Sequence, residues 1–219
     1  MMRFYDRADA GKQLAEALSF LKGRADLLVL AVPRGGVVVG AQVARALDAP
    51  LDVIIARKIP APGNPELAIG AVTADGALVL DNDLVERLGV SEQYIETATA
   101  REQAEIERRL RAYRNNRPPV QVAGKTVVLV DDGVATGATT LAAIRSLRRQ
   151  PLRELILAVP VGPPETITLL EREVDRVVVL ETPEPFWAVG VFYEQFEQTT
   201  DAEVIELLNE YARQKPVQA

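Results

Sequence analysis

Short runs dominated by aliphatic residues alternate along this chain with longer segments whose apolar residues recur every few positions. The runs are LLVLAV (27–32), LDVIIAR (51–57), TVVLV (126–130), ELILAVPV (154–161) and DRVVVLE (175–181). A strand that is apolar on both faces belongs in a parallel sheet covered by helices on either side. Between the runs the pattern predicts helices. One is capped by Asp6, turns Leu14, Leu18 and Leu21 inward and stops at Gly23; others cover Val37–Leu47, Ala138–Arg149 and a stretch from Pro164. Strand and helix in alternation imply βαβ crossovers. The expected fold is therefore α/β, a doubly wound and mainly parallel sheet.

One region breaks this rhythm. Residues 58–124 hold a loop rich in Pro and Gly, a hairpin turning at Asp75-Gly76 between AIGAVT and ALVL, and two helices. The second helix, Glu92–Asn115, is heavily charged above a thin stripe of Ile95, Ala98, Ile106, Leu110 and Tyr113, and its charges read as a solvated face. We read 58–124 as an insertion over the mouth of the sheet. Residues 181–219 form a C-terminal hood, closing with a helix from Asp201 that buries Val204, Leu207 and Leu208. All 219 residues then make a single domain.

Composition narrows the chemistry. The chain has no Cys and no His, which removes thiol nucleophiles, disulfides, His bases and His-ligated metals. Acid–base work falls to Asp, Glu, Lys or Tyr, and a metal must be a hard ion held by oxygen. A net charge of −6 without a basic block argues against nucleic acid as a partner. The opening residues MMRFYDRADAGKQ lack the apolar core of a signal peptide, and no apolar stretch is long enough to span a membrane. The expectation is a soluble, cytoplasmic protein.

The strongest local signal is VVLVDDGVATGATT, Val127 to Thr140. A buried strand ends in two carboxylates, Asp131 and Asp132. Gly133, Val134, Ala135, Thr136, Gly137, Ala138, Thr139 and Thr140 then lead into a helix. Open α/β sheets bind ligands outside the carboxyl ends of their strands, and a small-residue loop at a helix N-terminus offers N–H donors to an anion. No Lys follows, so this is not the loop of nucleoside triphosphatases. Two acids repel a phosphate placed on them; they suit hydroxyl donors or a metal, so a sugar diol beside a phosphate fits. A second anion site is expected at Pro33-Arg34-Gly35-Gly36, and a third cationic element, Arg57-Lys58, ends the next run. Two phosphate sites around a diol-binding acid pair describe phosphoribosyl pyrophosphate (PRPP). Each piece also has a plainer reading: Asp131-Asp132 as a helix cap, Gly35-Gly36 as a tight turn, Arg57-Lys58 as a solvated strand end. Glu66, in GNPELAIG, is either a mobile acid or a structural residue.

Val127–Thr140 resembles the PRPP signature of type I phosphoribosyltransferases. The resemblance implies that Asp131 and Asp132 hold the ribose hydroxyls and meet Mg²⁺ through PRPP or water. It places the 5′-phosphate on Ala135–Thr140 and the pyrophosphate on Pro33–Gly36, Arg57 and Lys58. It also implies a cis or strained peptide between Pro33 and Arg34. With NPELAIGAV and AVGVFYEQFEQTTDAEV, the chain is similar to a bacterial group known by that likeness. The implied activity is Mg²⁺-dependent transfer of a phosphoribosyl group to a small heterocyclic acceptor, with Arg34 and Lys58 on the leaving group. The alternative is a PRPP-binding regulator or sensor, and a ribose-phosphate hydrolase is a third reading. Ala135 stands where hypoxanthine-guanine enzymes carry Asp. Phe186 and Trp187 stand where purine enzymes stack the base, but the Lys that precedes that aromatic is missing. These two aromatics are either an acceptor platform or core and interface residues. Residues 58–70 are the candidate closing loop, and a homodimer is expected.

Overall fold

The computed structural model describes residues 4–115 and 117–214, apart from the side chains of Glu66 and Gln214. The chain runs α1 (Arg7–Ala17), β1 (Leu27–Ala31), α2 (Gly35–Leu47), β2 (Leu51–Val53), β3 (Ala56–Ala61), β4 (Asn64–Thr73), β5 (Leu78–Leu80) and α3 (Asn82–Leu88). It continues through α4 (Glu92–Arg114), β6 (Thr126–Val130), α5 (Ala138–Arg148), β7 (Glu154–Val161), α6 (Pro164–Glu171), β8 (Arg176–Glu181) and α7 (Asp201–Gln214). The main sheet is parallel throughout, in the order β2-β1-β6-β7-β8.

Alternate residues of its strands supply two separate cores. Val29, Ala31, Val128, Val130, Ile156 and Ala158 face Leu14 of α1, Val39 and Val43 of α2, and Val204 and Leu208 of α7. Leu28, Leu30, Val127, Leu129, Leu155 and Leu157 face Ile144 and Leu147 of α5 and Ile167 and Leu170 of α6. Two apolar faces per strand explain the aliphatic runs, and the expected doubly wound α/β sheet is found. The crossover from β1 leads outward to β2, whereas β6 lies against the other side of β1. The strand order therefore reverses between β1 and β6, where ligands of such sheets bind.

The helix capped by Asp6 ends earlier than expected. Asp6 does accept from the Asp9 N–H, but α1 stops at Ala17 and a short 3-10 turn, Ser19–Leu21, carries Leu21 inward. The run LDVIIAR is not one strand. β2 ends where Val53 pairs with Ala31, and from Ala56 the chain pairs with Thr73 in a separate antiparallel sheet, β3-β4-β5. Residues 58–70, expected as an irregular closing loop, instead build the β3–β4 hairpin around Gly63, whose φ of 73° suits glycine. The β4–β5 turn falls at Asp75-Gly76 as expected, with the Gly76 N–H donating to the Thr73 carbonyl. β4 packs on α5 and β3 on α4.

Candidate active site

The loops that follow β1 and β6 touch one another at the reversal point. The Val32 N–H donates to the Val130 carbonyl at 2.8 Å, so the β1 loop leaves the sheet along the end of β6. α2 starts at Gly35, two residues earlier than expected, with Arg34 as its N-cap residue. A Cβ on Gly35 would lie 1.9 Å from Asp132 Oδ2, and one on Gly36 would lie 2.9 Å from Asp131 Cα. The two glycines are required by close approach: a side chain at either position would push the acid pair away. The peptide between Pro33 and Arg34 is cis.

The two acids differ in their surroundings. Asp132 accepts a hydrogen bond from Arg7 Nε at 2.7 Å, with side chains only 16% and 12% exposed, and its carbonyl accepts from the Tyr193 hydroxyl at 2.6 Å. Arg7 in turn donates to the Glu197 carbonyl and lies over the Phe196 ring, 3.8 Å from its centroid. Asp131 accepts from the Asp132 N–H at 2.8 Å. Burial, and then the neighbouring Asp132 carboxylate, raise the Asp131 carboxyl well above the usual carboxylate range. Burial also raises the Tyr193 hydroxyl, reinforced by Asp132, which keeps it a hydrogen-bond donor.

Beyond the acids, Val134 turns into the core and donates its N–H to the Val161 carbonyl, anchoring the loop. The Ala135 carbonyl accepts from the Thr166 hydroxyl at 2.7 Å. Gly137, at φ 74°, turns the chain into α5 without a side-chain cap. Ala135 and Thr136 are exposed, Ala138 and Thr139 partly so, while Thr140 is buried. Gly133 packs under Val189, where a Cβ would come within 2.5 Å of that side chain.

Arg57 and Lys58 are found in β3 of the small sheet, not at the end of a main-sheet strand. They still line a cleft of about 430 Å³ that opens beside Pro33. Arg34 NH1 lies 3.8 Å from Asp201 at the start of α7, and Asp201 accepts from the Tyr113 hydroxyl at 2.6 Å. Burial, then this anion, push the Tyr113 hydroxyl up to about 12. Phe186 stacks on Phe192, with ring centroids 5.1 Å apart, in a small cluster that includes Val189. Trp187 is 80% exposed, so it is not a core residue. The side chain of Glu66 lies outside the described residues.

Arg7 and Tyr193 are the site residues that sequence reasoning missed. Their contacts cross 125 and 61 positions; Arg7 belongs to no motif, and although Tyr193 lies in AVGVFYEQFEQTTDAEV, nothing local ties it to the acid pair.

The model of the phosphoribosyl transferase domain matches residues 4–197. The chain belongs to the phosphoribosyl transferase family. It is 42% identical over 209 residues to the "Putative phosphoribosyl transferase" of Mycobacterium tuberculosis, in the CDC 1551 strain and equally in H37Rv. That match takes in 95% of this chain and 47% of the relative, so the chain spans about half the length of the curated relatives it matches. Among solved structures, the protein TT1426 from Thermus thermophilus shares 44% identity at a TM-score of 0.80, over 96% of this chain and 99% of that one. The resemblance read from the motifs is thereby established at the level of family and fold. Among the described residues, no helix is long and apolar enough to cross a membrane.

Proposed function

We propose that this chain transfers the 5-phosphoribosyl group of PRPP to a ring nitrogen of a small flat heterocycle and releases pyrophosphate. The observation that carries the reading is the contact between the β1 and β6 loops, Gly35 and Gly36 directly against Asp132 and Asp131. It brings an acid pair between two anion-binding helix starts, the order of groups along PRPP. In this reading the carboxylates take the ribose hydroxyls and Ala135–Thr140 the 5′-phosphate. Pro33–Gly36, Arg57 and Lys58 take the pyrophosphate. The acceptor sits toward the Phe186–Val189 segment, which reaches the β6 loop at Gly133.

Among the described residues no group of three or more acidic side chains forms a metal cage. Asp132 is already paired with Arg7, and Asp131 with a backbone N–H. Such a donor set suits Mg²⁺ that arrives with PRPP and meets the acids through ligand or water. When bound, the ion would offset the charge of the leaving pyrophosphate. The protein's part is placement and fixed charge. As the C1′–O bond to pyrophosphate breaks and the C1′–N bond forms, positive charge on the ribose would lie beside the carboxylates, while Arg34 and Lys58 would steady the leaving group.

The test is incubation with labelled PRPP and Mg²⁺ against a panel of nucleobases. Pyrophosphate release that depends on one base is the expected result. Binding without turnover would make the chain a sensor, and release without any base a hydrolase. With Ala135 in the loop and no Lys before Phe186, little selection for a 6-oxo group is expected.

A further inference from the structure

The charged helix α4 was expected to be a solvated face, yet part of it lines the cleft beside Pro33. That cleft is walled by Arg57, Lys58, Arg101 and Arg109, with Glu102 as its one carboxylate among the described lining residues. Glu102 is a buried anion, 5% exposed, lying under two arginines. It accepts from Arg57 Nε at 2.6 Å and from Arg101 Nε at 3.1 Å, so one carboxylate holds a guanidinium from β3 beside one from α4. Arg109, two turns further along α4, is steadied by Glu105 at 2.8 Å. The helix is itself fastened at both ends: the Tyr94 hydroxyl donates to the Pro60 carbonyl, and Arg114 pairs with the buried Asp52. A fixed cleft with an excess of guanidinium groups is a site for an anion with several oxygens, since each fork can take two of them.

We propose that Arg101 and Arg109 of α4 join Arg57 and Lys58 in binding the outer phosphate of a diphosphate ligand. This rests on the proposed reading of the site and extends it, because Pro33 belongs both to the cleft wall and to the loop that touches the acid pair. The helix then has a task in leaving-group binding that the parallel sheet cannot supply. Glu102 is a positioning residue: it aligns the two arginines and reduces their mutual repulsion.

The experiment is calorimetric titration of inorganic pyrophosphate, ribose 5-phosphate and PRPP into the wild type, Arg101→Gln, Arg109→Gln and Arg111→Gln. Arg111 pairs with Glu107 on the exposed side of the helix, outside the cleft lining and away from Glu105, and serves as control. Each cleft variant is expected to bind pyrophosphate about tenfold more weakly, the loss of one charge-assisted contact, with ribose 5-phosphate unchanged. Arg101 is 65% exposed on its side chain, so its replacement leaves the fold intact even if Arg109→Gln does not. Unchanged pyrophosphate affinity in both cleft variants, or an equal loss for ribose 5-phosphate, overturns the proposal while wild-type PRPP binding keeps the broader reading. A wild type that binds pyrophosphate in an arginine-dependent way but ignores PRPP does the reverse.

Discussion

Asp131 and Asp132 are neighbours in sequence with opposite effects on stability. Asp131 holds a proton more tightly in the native state than in the unfolded chain. It therefore contributes stability that is complete below the ordinary carboxyl range and lost as pH rises through its raised native value. Asp131→Asn keeps the shape and removes the charge. We expect it to raise the Tm at neutral pH by about 2–4 °C, roughly 1 kcal/mol at this chain size, with the gain vanishing on acidification toward pH 4. Asp132→Asn removes the charge opposite the largely buried Arg7 guanidinium and is expected to lower the Tm instead, by about 1–3 kcal/mol of stability. Both variants are expected to weaken PRPP binding at least about tenfold, the loss of a charged hydrogen-bond partner. Thermal unfolding across pH and calorimetry with PRPP and Mg²⁺ check this. Unchanged affinity in both would remove the acids from the diol site. This pair and PRGG were legible in the sequence because each motif is contiguous and ends a buried strand. Arg7 was not, because only the fold brings α1 to the β6 loop.

At the scale of elements, the main sheet was legible and the switch between sheets was not. Apart from Asp52 and Arg57, LDVIIAR is apolar from end to end, and periodicity carries no sign of where β2 leaves one sheet and β3 enters another. The hairpin of residues 58–70 was misread for a related reason: its prolines and glycines suggested a loop, yet β3 and β4 pair through a register shift at Pro60. The charged face of α4 hid Glu102, since nothing local distinguishes a buried glutamate from a solvated one. α7 brings a further consequence. Its first residue, Asp201, faces Arg34 across 3.8 Å, with both side chains about a third or more exposed. A pyrophosphate on Arg34 must compete with that carboxylate. Asp201→Asn keeps an acceptor for the Tyr113 hydroxyl and removes the competing charge. Pyrophosphate affinity is expected to rise about twofold to fivefold, in keeping with the small energy of an exposed pair. The same titration at high salt should show a smaller gain. Weaker binding in this variant would mean that Asp201 orients Arg34 rather than competing for the ligand.

For the whole molecule, the site joins parts that lie far apart along the chain. Arg7 of α1 reaches Asp132, the Glu197 carbonyl and the Phe196 ring, while Tyr193 reaches the Asp132 carbonyl and lies against Phe4 and Phe196. The N-terminal helix and the segment after β8 therefore meet on the acid pair, and a ligand there should stabilise both together. Saturation at about a hundred times Kd adds about 2.7 kcal/mol, which corresponds to a rise in Tm of about 5–10 °C for a chain of this size. Arg7→Gln cuts the link at its centre. We expect a lower Tm without ligand and a clearly smaller rise with the same concentration of PRPP and Mg²⁺. Arg7→Lys should restore only part of the rise, because an ammonium cannot serve a carboxylate, a carbonyl and an aromatic face at once. Arg153→Gln, which removes an exposed guanidinium from Asp26 while Arg24 still pairs with that carboxylate, is the matched control and should leave the rise unchanged. Scanning calorimetry of the four proteins decides it. An equal PRPP-induced rise in wild type and Arg7→Gln would show that the acid pair binds its ligand without the N-terminal helix.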